Sequence, residues 1–101
     1  MATIRKKELT DKIAETHHFR SVLTKQVIQS FLDEILRELD KGNRLEFRDF
    51  GVFEPRLKKG MIGQNPKTLE KVPVPDHRIV KFKMGQAMRK RLNGEKKGRQ
   101  L

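Results

Sequence analysis

The residues in this chain whose types and spacing could do chemistry are cations grouped around one turn. Arg56, Lys58, Lys59, Lys67 and Lys71 flank the stretch Gly63-Gln64-Asn65-Pro66, and Arg78, Lys81 and Lys83 follow soon after. Cations spaced in this way neutralise a row of anions; they do not make or break bonds. Nothing else in the chain supplies a reaction centre. There is no Ser/His/Asp set, no phosphate-cradling glycine loop and no carboxylate cluster for a metal in the basic half. The sequence therefore predicts no catalytic residue, no metal, no cofactor, no small-molecule substrate and no enzyme. His17 and His18 have no third ligand nearby and read as corner residues.

Asn-Pro preceded by Gly is turn chemistry. Val52 to Lys59 runs up to it and Thr68 to Val74 runs away, so residues 52–75 read as a β-ribbon of two antiparallel strands joined at a tip. Few of its residues could fill a core. A cationic ribbon without a core of its own is most simply an arm that grips a polyanion, and the rest of the chain is the body that holds it.

The charge balance supports this. Residues 1–55 hold 10 Lys+Arg and 10 Asp+Glu, whereas residues 56–101 hold 14 and 3, so the whole net charge of +11 lies in the second half. Solubility alone does not require such segregation; nucleic acid or another anionic surface does explain it. The absence of cysteine removes disulfides and thiolate metal sites. No apolar run approaches the length of a membrane span, and the first residues lack the apolar stretch of a signal peptide, so a cytoplasmic location is expected.

Five segments form the body. Residues 3–17 read as a first helix, with Thr3 as N-cap and Leu9, Ile13 and Ala14 as its apolar stripe. A longer helix capped by Ser21 or Thr24 reaches Asp40 or Lys41. In it Val27, Ile28, Phe31, Leu32, Ile35, Leu36 and Leu39 recur at three- and four-residue steps, the strongest periodicity in the chain. Gly42-Asn43 ends it. Arg44 to Arg48 alternates as a strand, and Gly51 is expected to supply the torsions of the hairpin that follows. Arg78 to Lys83 is a third body strand, with Val80 and Phe82 on one side and Lys81 and Lys83 on the other. Gln86 to Leu92 forms a short last helix with Ala87, Met88 and Leu92 inward, and residues 95–101 form a basic, disordered tail. Phe47, Phe50 and Phe53 fit an aromatic lid over the long helix; stacking on bases is the alternative.

With 101 residues, 35% of them hydrophobic and several of those in the arm, a lone body would be marginal. The long stripe is wide enough to meet a second copy of itself. The predicted dimer core is Ile28, Phe31, Leu32, Ile35, Leu36, Leu39, Phe47, Phe50, Phe53 and Phe82, with a homodimer favoured and a heterodimer compatible.

Three segments resemble a known family. Phe50-Gly51-Val52-Phe53, Gly63-Gln64-Asn65-Pro66-Lys67-Thr68 and Val80-Lys81-Phe82-Lys83-Met84-Gly85-Gln86-Ala87-Met88 are similar, at the right separations, to the bacterial HU and integration host factor proteins. The resemblance covers about residues 3–93. It implies an α+β fold forming an intertwined dimer, with a two-helix body, a three-stranded saddle, a protruding β-ribbon arm at about residues 54–75 and a short C-terminal helix, all in one domain over 1–94. It implies that the arms lie in the minor groove of double-stranded DNA, where Pro66 wedges into a base step, Asn65 sets the tip turn, and Arg56, Lys58, Lys59, Gln64, Lys67, Lys71, Arg78, Lys81 and Lys83 meet the DNA. Proteins of this kind are minor-groove architectural proteins. The implied function is nucleoid-associated bending and compaction with little sequence preference.

The resemblance departs where the family has arginine and this chain has Met61 and Gln64, where the family has glycine and this chain has Leu69, and at Gln86, where a basic residue is common. The arm is thus less charged near its tip. Body and tail are expected to carry more of the affinity while the arm mainly wedges, and an apolar patch of Met61, Ile62 and Leu69 could contact another dimer. Competing readings are a sequence-selective bender like integration host factor and a basic structural dimer that binds acidic partners. RNA would be a weak secondary partner, because no aromatic-sheet RNA motif is visible.

Overall fold

The computed structural model describes residues 1–94, so the basic tail at 95–101 lies outside the described residues. The chain forms two compact units, Met1–Arg37 and the residues from Glu38 onward.

In the first unit, α1 spans Lys6–His17 and α2 begins at Ser21 and runs to Asp40. The expected N-cap Thr3 lies before α1. Arg5 occupies the cap position in extended backbone, and the Glu8 carboxylate reaches back to accept its N–H at 3.1 Å. A carboxylate in the first turn also complements the helix dipole, which explains why the helix starts there. At the other end His18 adopts φ 57, and Phe19 donates its N–H to the Ala14 carbonyl at 2.9 Å. His17 stacks on Phe19 with ring centroids 5.2 Å apart, so the histidine pair builds the corner. Thr24 is not the cap of α2. It lies inside the first turn, and its hydroxyl donates to the Arg20 carbonyl at 2.8 Å. Thr10 does the same to Lys6 at 2.8 Å. These back-bonds satisfy the two hydroxyls that are buried in this unit, alongside Ala14.

The second unit starts at the C-terminus of α2. Gly42, at φ 89, lets Asn43 donate to the Glu38 carbonyl at 3.0 Å and closes the helix as the sequence predicts. The strands are β1 (Leu45–Phe47), β2 (Gly51–Lys58), β3 (Met61–Gln64), β4 (Lys71–Val74) and β5 (His77–Met84), followed by α3 (Gln86–Asn93). One antiparallel sheet has the order β1-β2-β5; a second contains only β3 and β4.

Three expectations are corrected here. The left-handed residue in the β1–β2 turn is Asp49, at φ 66, not Gly51. Gly51 is needed for space instead: a Cβ there would lie 2.5 Å from the Phe82 ring and 2.7 Å from the Lys83 carbonyl oxygen. Secondly, Val52 to Lys58 is not a ribbon strand with its partner at Thr68 to Val74. It pairs with β5 from Gly51↔Met84 to Lys58↔His77, because the alternation that faces Phe53 onto Phe82 continues without a break. The separately paired ribbon is β3–β4, from Met61↔Val74 to Gln64↔Lys71. Thirdly, Ala87 and Leu92 of α3 are exposed and Met88 is half-buried. With Phe50 they line an open groove of about 380 Å³, which no other part of the described residues covers.

The two ladders share one register. Counting on from Lys58↔His77 places Lys59 opposite Asp76 and Gly60 opposite Pro75 before Met61↔Val74 is reached. The break between them is therefore not a bulge. Pro75 has no N–H to donate, and the Gly60 N–H turns to the Asp76 carboxylate at 2.5 Å. A Cβ on Gly60 would sit 2.1 Å from the Val74 carbonyl oxygen, so only glycine fits this close approach. Of the two prolines, Pro75 lies where the two ladders part, whereas Pro73 stays within β4 opposite Ile62.

Ala14 is the one apolar side chain that is buried among the described residues. Phe47, Phe50, Phe53 and Phe82 cluster, with centroids 4.8 Å apart for Phe53–Phe82 and 5.9 Å for Phe47–Phe53 and Phe50–Phe82. Even so Phe50 is 51% exposed and Phe82 39%, and on α2 Phe31 is 54% and Leu36 65% exposed. A chain with this many uncovered large apolar side chains does not hold a sufficient core by itself.

Candidate nucleic-acid interface

Strand alternation sorts the second unit into two faces. Phe53↔Phe82 and Pro55↔Val80 lie on one; Val52↔Lys83, Glu54↔Lys81, Arg56↔Ile79 and Lys58↔His77 lie on the other. Four of the predicted cations, Arg56, Lys58, Lys81 and Lys83, therefore share the face opposite the phenylalanines. Among the described residues Lys58 and Lys81 enter no ion pair, so their charge is available to a ligand.

Arg78 does not join them. It lies on the phenylalanine side of β5 and donates from Nη1 to the Asp40 carbonyl and from Nη2 to the Asp40 carboxylate, both at 2.9 Å. Its guanidinium closes off the C-terminal end of α2, where the free carbonyls and the helix dipole favour a cation. Lys59 sits at the break between the two ladders, Lys71 stands opposite Gln64, and Lys67 lies in the tip.

The tip is displaced from its expected place. Gly63 and Gln64 are strand residues of β3, and the chain reverses over Asn65 to Glu70. Asn65 organises it. Its carboxamide oxygen accepts from the Lys67 N–H at 2.8 Å, its carbonyl accepts from the Leu69 N–H at 2.7 Å, and its N–H donates to the Glu70 carbonyl at 2.9 Å. Asn is suited to this because its short side chain mimics a backbone turn. Pro66 opens the turn where a missing N–H costs nothing. Leu69 closes it at φ 62, with the Gln64 carboxamide donating to its carbonyl at 3.1 Å.

Met61, Ile62 and Leu69 do not make one apolar patch. Met61 shares a face with Val72 and Val74, whereas Ile62 shares the opposite face with Pro73, because strand side chains alternate; Leu69 is in the tip.

One charged residue of this face goes unmarked in the sequence reading. Glu54 lies among the cations, and its carboxylate accepts from Arg56 Nη2 at 2.9 Å and stands 4.0 Å from Lys83 Nζ. The hydrogen bond from Arg56, helped by the nearby charges of Arg56, Lys83 and Arg44, holds its carboxyl below the usual glutamate range. The signal was its spacing, two residues before Arg56 in a strand, which puts both on one face.

The sequence profile of the family described as bacterial DNA-binding protein matches residues 4–93. The chain belongs to this family. Integration host factor subunit alpha of Haemophilus influenzae is 40% identical over 96 residues, covering 95% of this chain and all of that protein. A probable DNA-binding protein HU of Chlamydia pneumoniae is 42% identical over 91 residues, 89% of this chain and 91% of that one. An Anabaena HU–DNA cocrystal structure matches with a TM-score of 0.83 and 31% identity, covering 90% of this chain and 99% of that one. The family's α+β fold accounts for the element order, and family membership agrees with a site made of cations and a rigid tip and without acid–base chemistry. Among the described residues no helix is long and apolar enough to cross a membrane.

Proposed function

We propose that the protein is a non-enzymatic architectural DNA-binding dimer that bends and compacts double-stranded DNA on the nucleoid, in the cytoplasm, with residues 1–94 acting as one DNA-binding module. The observation that carries this is the division of one sheet into a cationic face, leading into an arm with a proline-tipped turn, and an aromatic face left half-uncovered. The cationic face meets phosphates; the aromatic face and the stripe of α2 meet a second copy. Lys and Arg contacts to phosphate release counterions and offset the cost of bending, on the order of 1–6 kcal/mol for a smooth bend. Pro66 is rigid and apolar and has no N–H to leave unpaired in an unstacked step, so it acts as the wedge.

The test is ring closure of DNA fragments shorter than about 150 base pairs, which are stiff without a bending protein. The protein should promote closure, and Pro66→Ala should lose most of that effect while keeping most of its affinity. Binding without any change in closure would overturn the function. The relatives include proteins named as HU and as integration host factor, so a site-selective bender is the second reading; a sharp footprint amid competitor DNA would favour it.

Glu54 occupies the position a phosphate would take beside Arg56 and Lys83. Glu54→Gln should therefore tighten duplex binding by about three- to tenfold at low salt, since charged hydrogen-bond partners are released to the DNA. The sign with pH follows from its lowered pKa. The carboxylate holds its proton less readily than an ordinary glutamate and so competes for Arg56 to lower pH than one would. Binding by the parent should tighten from this source as pH falls through that lowered pKa, and E54Q should lack the step in a fluorescence anisotropy titration.

A further inference from the structure

Pro66 is not the one apolar group at the end of the arm. The Leu69 N–H closes on the Asn65 carbonyl four residues back, at 2.7 Å, so the tip is a single helical turn. Leu69 ends the turn that Pro66 opens, three residues further on in the same tip. Leu69 holds this place at φ 62, a conformation that disfavours any side chain with a Cβ and that glycine or asparagine would adopt with less strain. Its N–H and carbonyl are both hydrogen-bonded within the tip, the latter to the Gln64 carboxamide at 3.1 Å. The side chain itself is 67% exposed and packs into no core. The tip's hydrogen bonds need only the Leu69 backbone, which glycine or asparagine would supply with less strain, so an exposed leucine held there points to a function for the side chain outside the free protein.

We propose that Leu69 is a second wedge, entering the same unstacked base step as Pro66, so that the arm opens DNA with a paired Pro–Leu tip. Leucine is chemically suited to this, since apolar side chains inserted between base pairs replace lost stacking without needing a hydrogen-bond partner. The arm is also short of charge here: Met61, Gln64 and Leu69 add none near the tip, and apolar contact in the opened step supplies grip that phosphate contacts do not. The inference rests on the DNA-bending function proposed above and concerns how the tip achieves it.

The experiment compares Leu69→Asn and Leu69→Gly with the parent, Pro66→Ala and the double variant. Both Leu69 replacements accept positive φ, so folding is not at risk, and thermal melting should show them at least as stable as the parent. The readouts are ring closure of a short duplex and the fluorescence of 2-aminopurine placed at the opened step. Each Leu69 variant should close rings about tenfold less well and show less unstacking, as expected for losing the burial of one leucine side chain. Pro66→Ala combined with L69N should be no worse than about the poorer single variant if both enter one step. Leu69 variants that bend and unstack DNA as the parent does would overturn the paired wedge and leave the bending function standing. A parent that binds without bending would overturn that function, and the wedge with it.

Discussion

Leu36→Asp should abolish the folded protein at micromolar concentration, although Leu36 is 65% exposed in the single chain. If the chain worked alone, this would be a surface substitution worth about 0.5 kcal/mol or less. In a dimer built on the apolar stripe of α2, the two-fold axis puts an unpaired carboxylate into the interface from each subunit. The cost is then about 3 kcal/mol or more per subunit, since each charge must be desolvated without a partner. The parent's melting temperature should rise with protein concentration, as it does for obligate dimers, and sedimentation should find no folded monomer. Leu36→Asp should sediment as an unfolded or aggregated chain. A variant that melts like the parent, independently of concentration, would remove the dimer from the account. Leu36 is a sharper choice than Phe53 for this purpose, because Phe53 also packs against Phe47 and Phe82 within its own chain.

Much of this architecture could be read from the sequence because it is periodic. The α2 stripe, the alternation of Val80 and Phe82 with Lys81 and Lys83, and the Gly42-Asn43 stop all follow from local geometry that a side-chain pattern reports directly. What was misread depended on pairing between distant residues. Val52 to Lys59 reads as one side of the ribbon because a turn signal lies beyond it, yet the partner of Gly51–Lys58 is His77–Met84. Gly51 reads as a turn residue in the sequence, and the structure needs it instead to admit the Phe82 ring. A glycine announces only that a Cβ is unwelcome; whether torsion or space is the reason emerges only in three dimensions. The site was legible in the same uneven way. Arg56, Lys58, Lys81 and Lys83 share a face by parity alone, but the diversion of Arg78 to Asp40 and the insertion of Glu54 among the cations depend on side-chain geometry. Leu69 was visible as a departure from the family pattern, and the left-handed backbone beneath it was not.

The second large effect separates the sheet from the arm. Arg56→Gln, Lys58→Gln, Lys81→Gln and Lys83→Gln, combined in one chain, remove four cations per subunit and eight per dimer from the face opposite the phenylalanines. Each phosphate contact contributes about 0.9 to the slope of log affinity against log salt, so the slope should fall by about five to seven. The lower figure allows for Arg56, whose charge is already shared with Glu54. Affinity at moderate salt should drop by about a thousandfold or more. The dimer should persist, because none of the four side chains lies on the phenylalanine face. The complementary variant replaces residues 61–74 by a two-residue Asn-Gly turn. Gly60 and Pro75 stand opposite one another, so the β2–β5 ladder can close there without a change of register. This variant retains all four cations and loses the Pro66 wedge. It should keep most of the salt slope while losing nearly all ring closure, because the sheet supplies most of the charge neutralisation and the tip supplies the kink. The reverse result, with affinity and slope vanishing together when the ribbon is removed, would mean that phosphate contacts reside mainly in Lys67, Lys71 and the rest of the arm, and that the sheet only supports it. The two variants use one titration, so a single set of salt-dependent isotherms decides which part of the molecule holds the DNA.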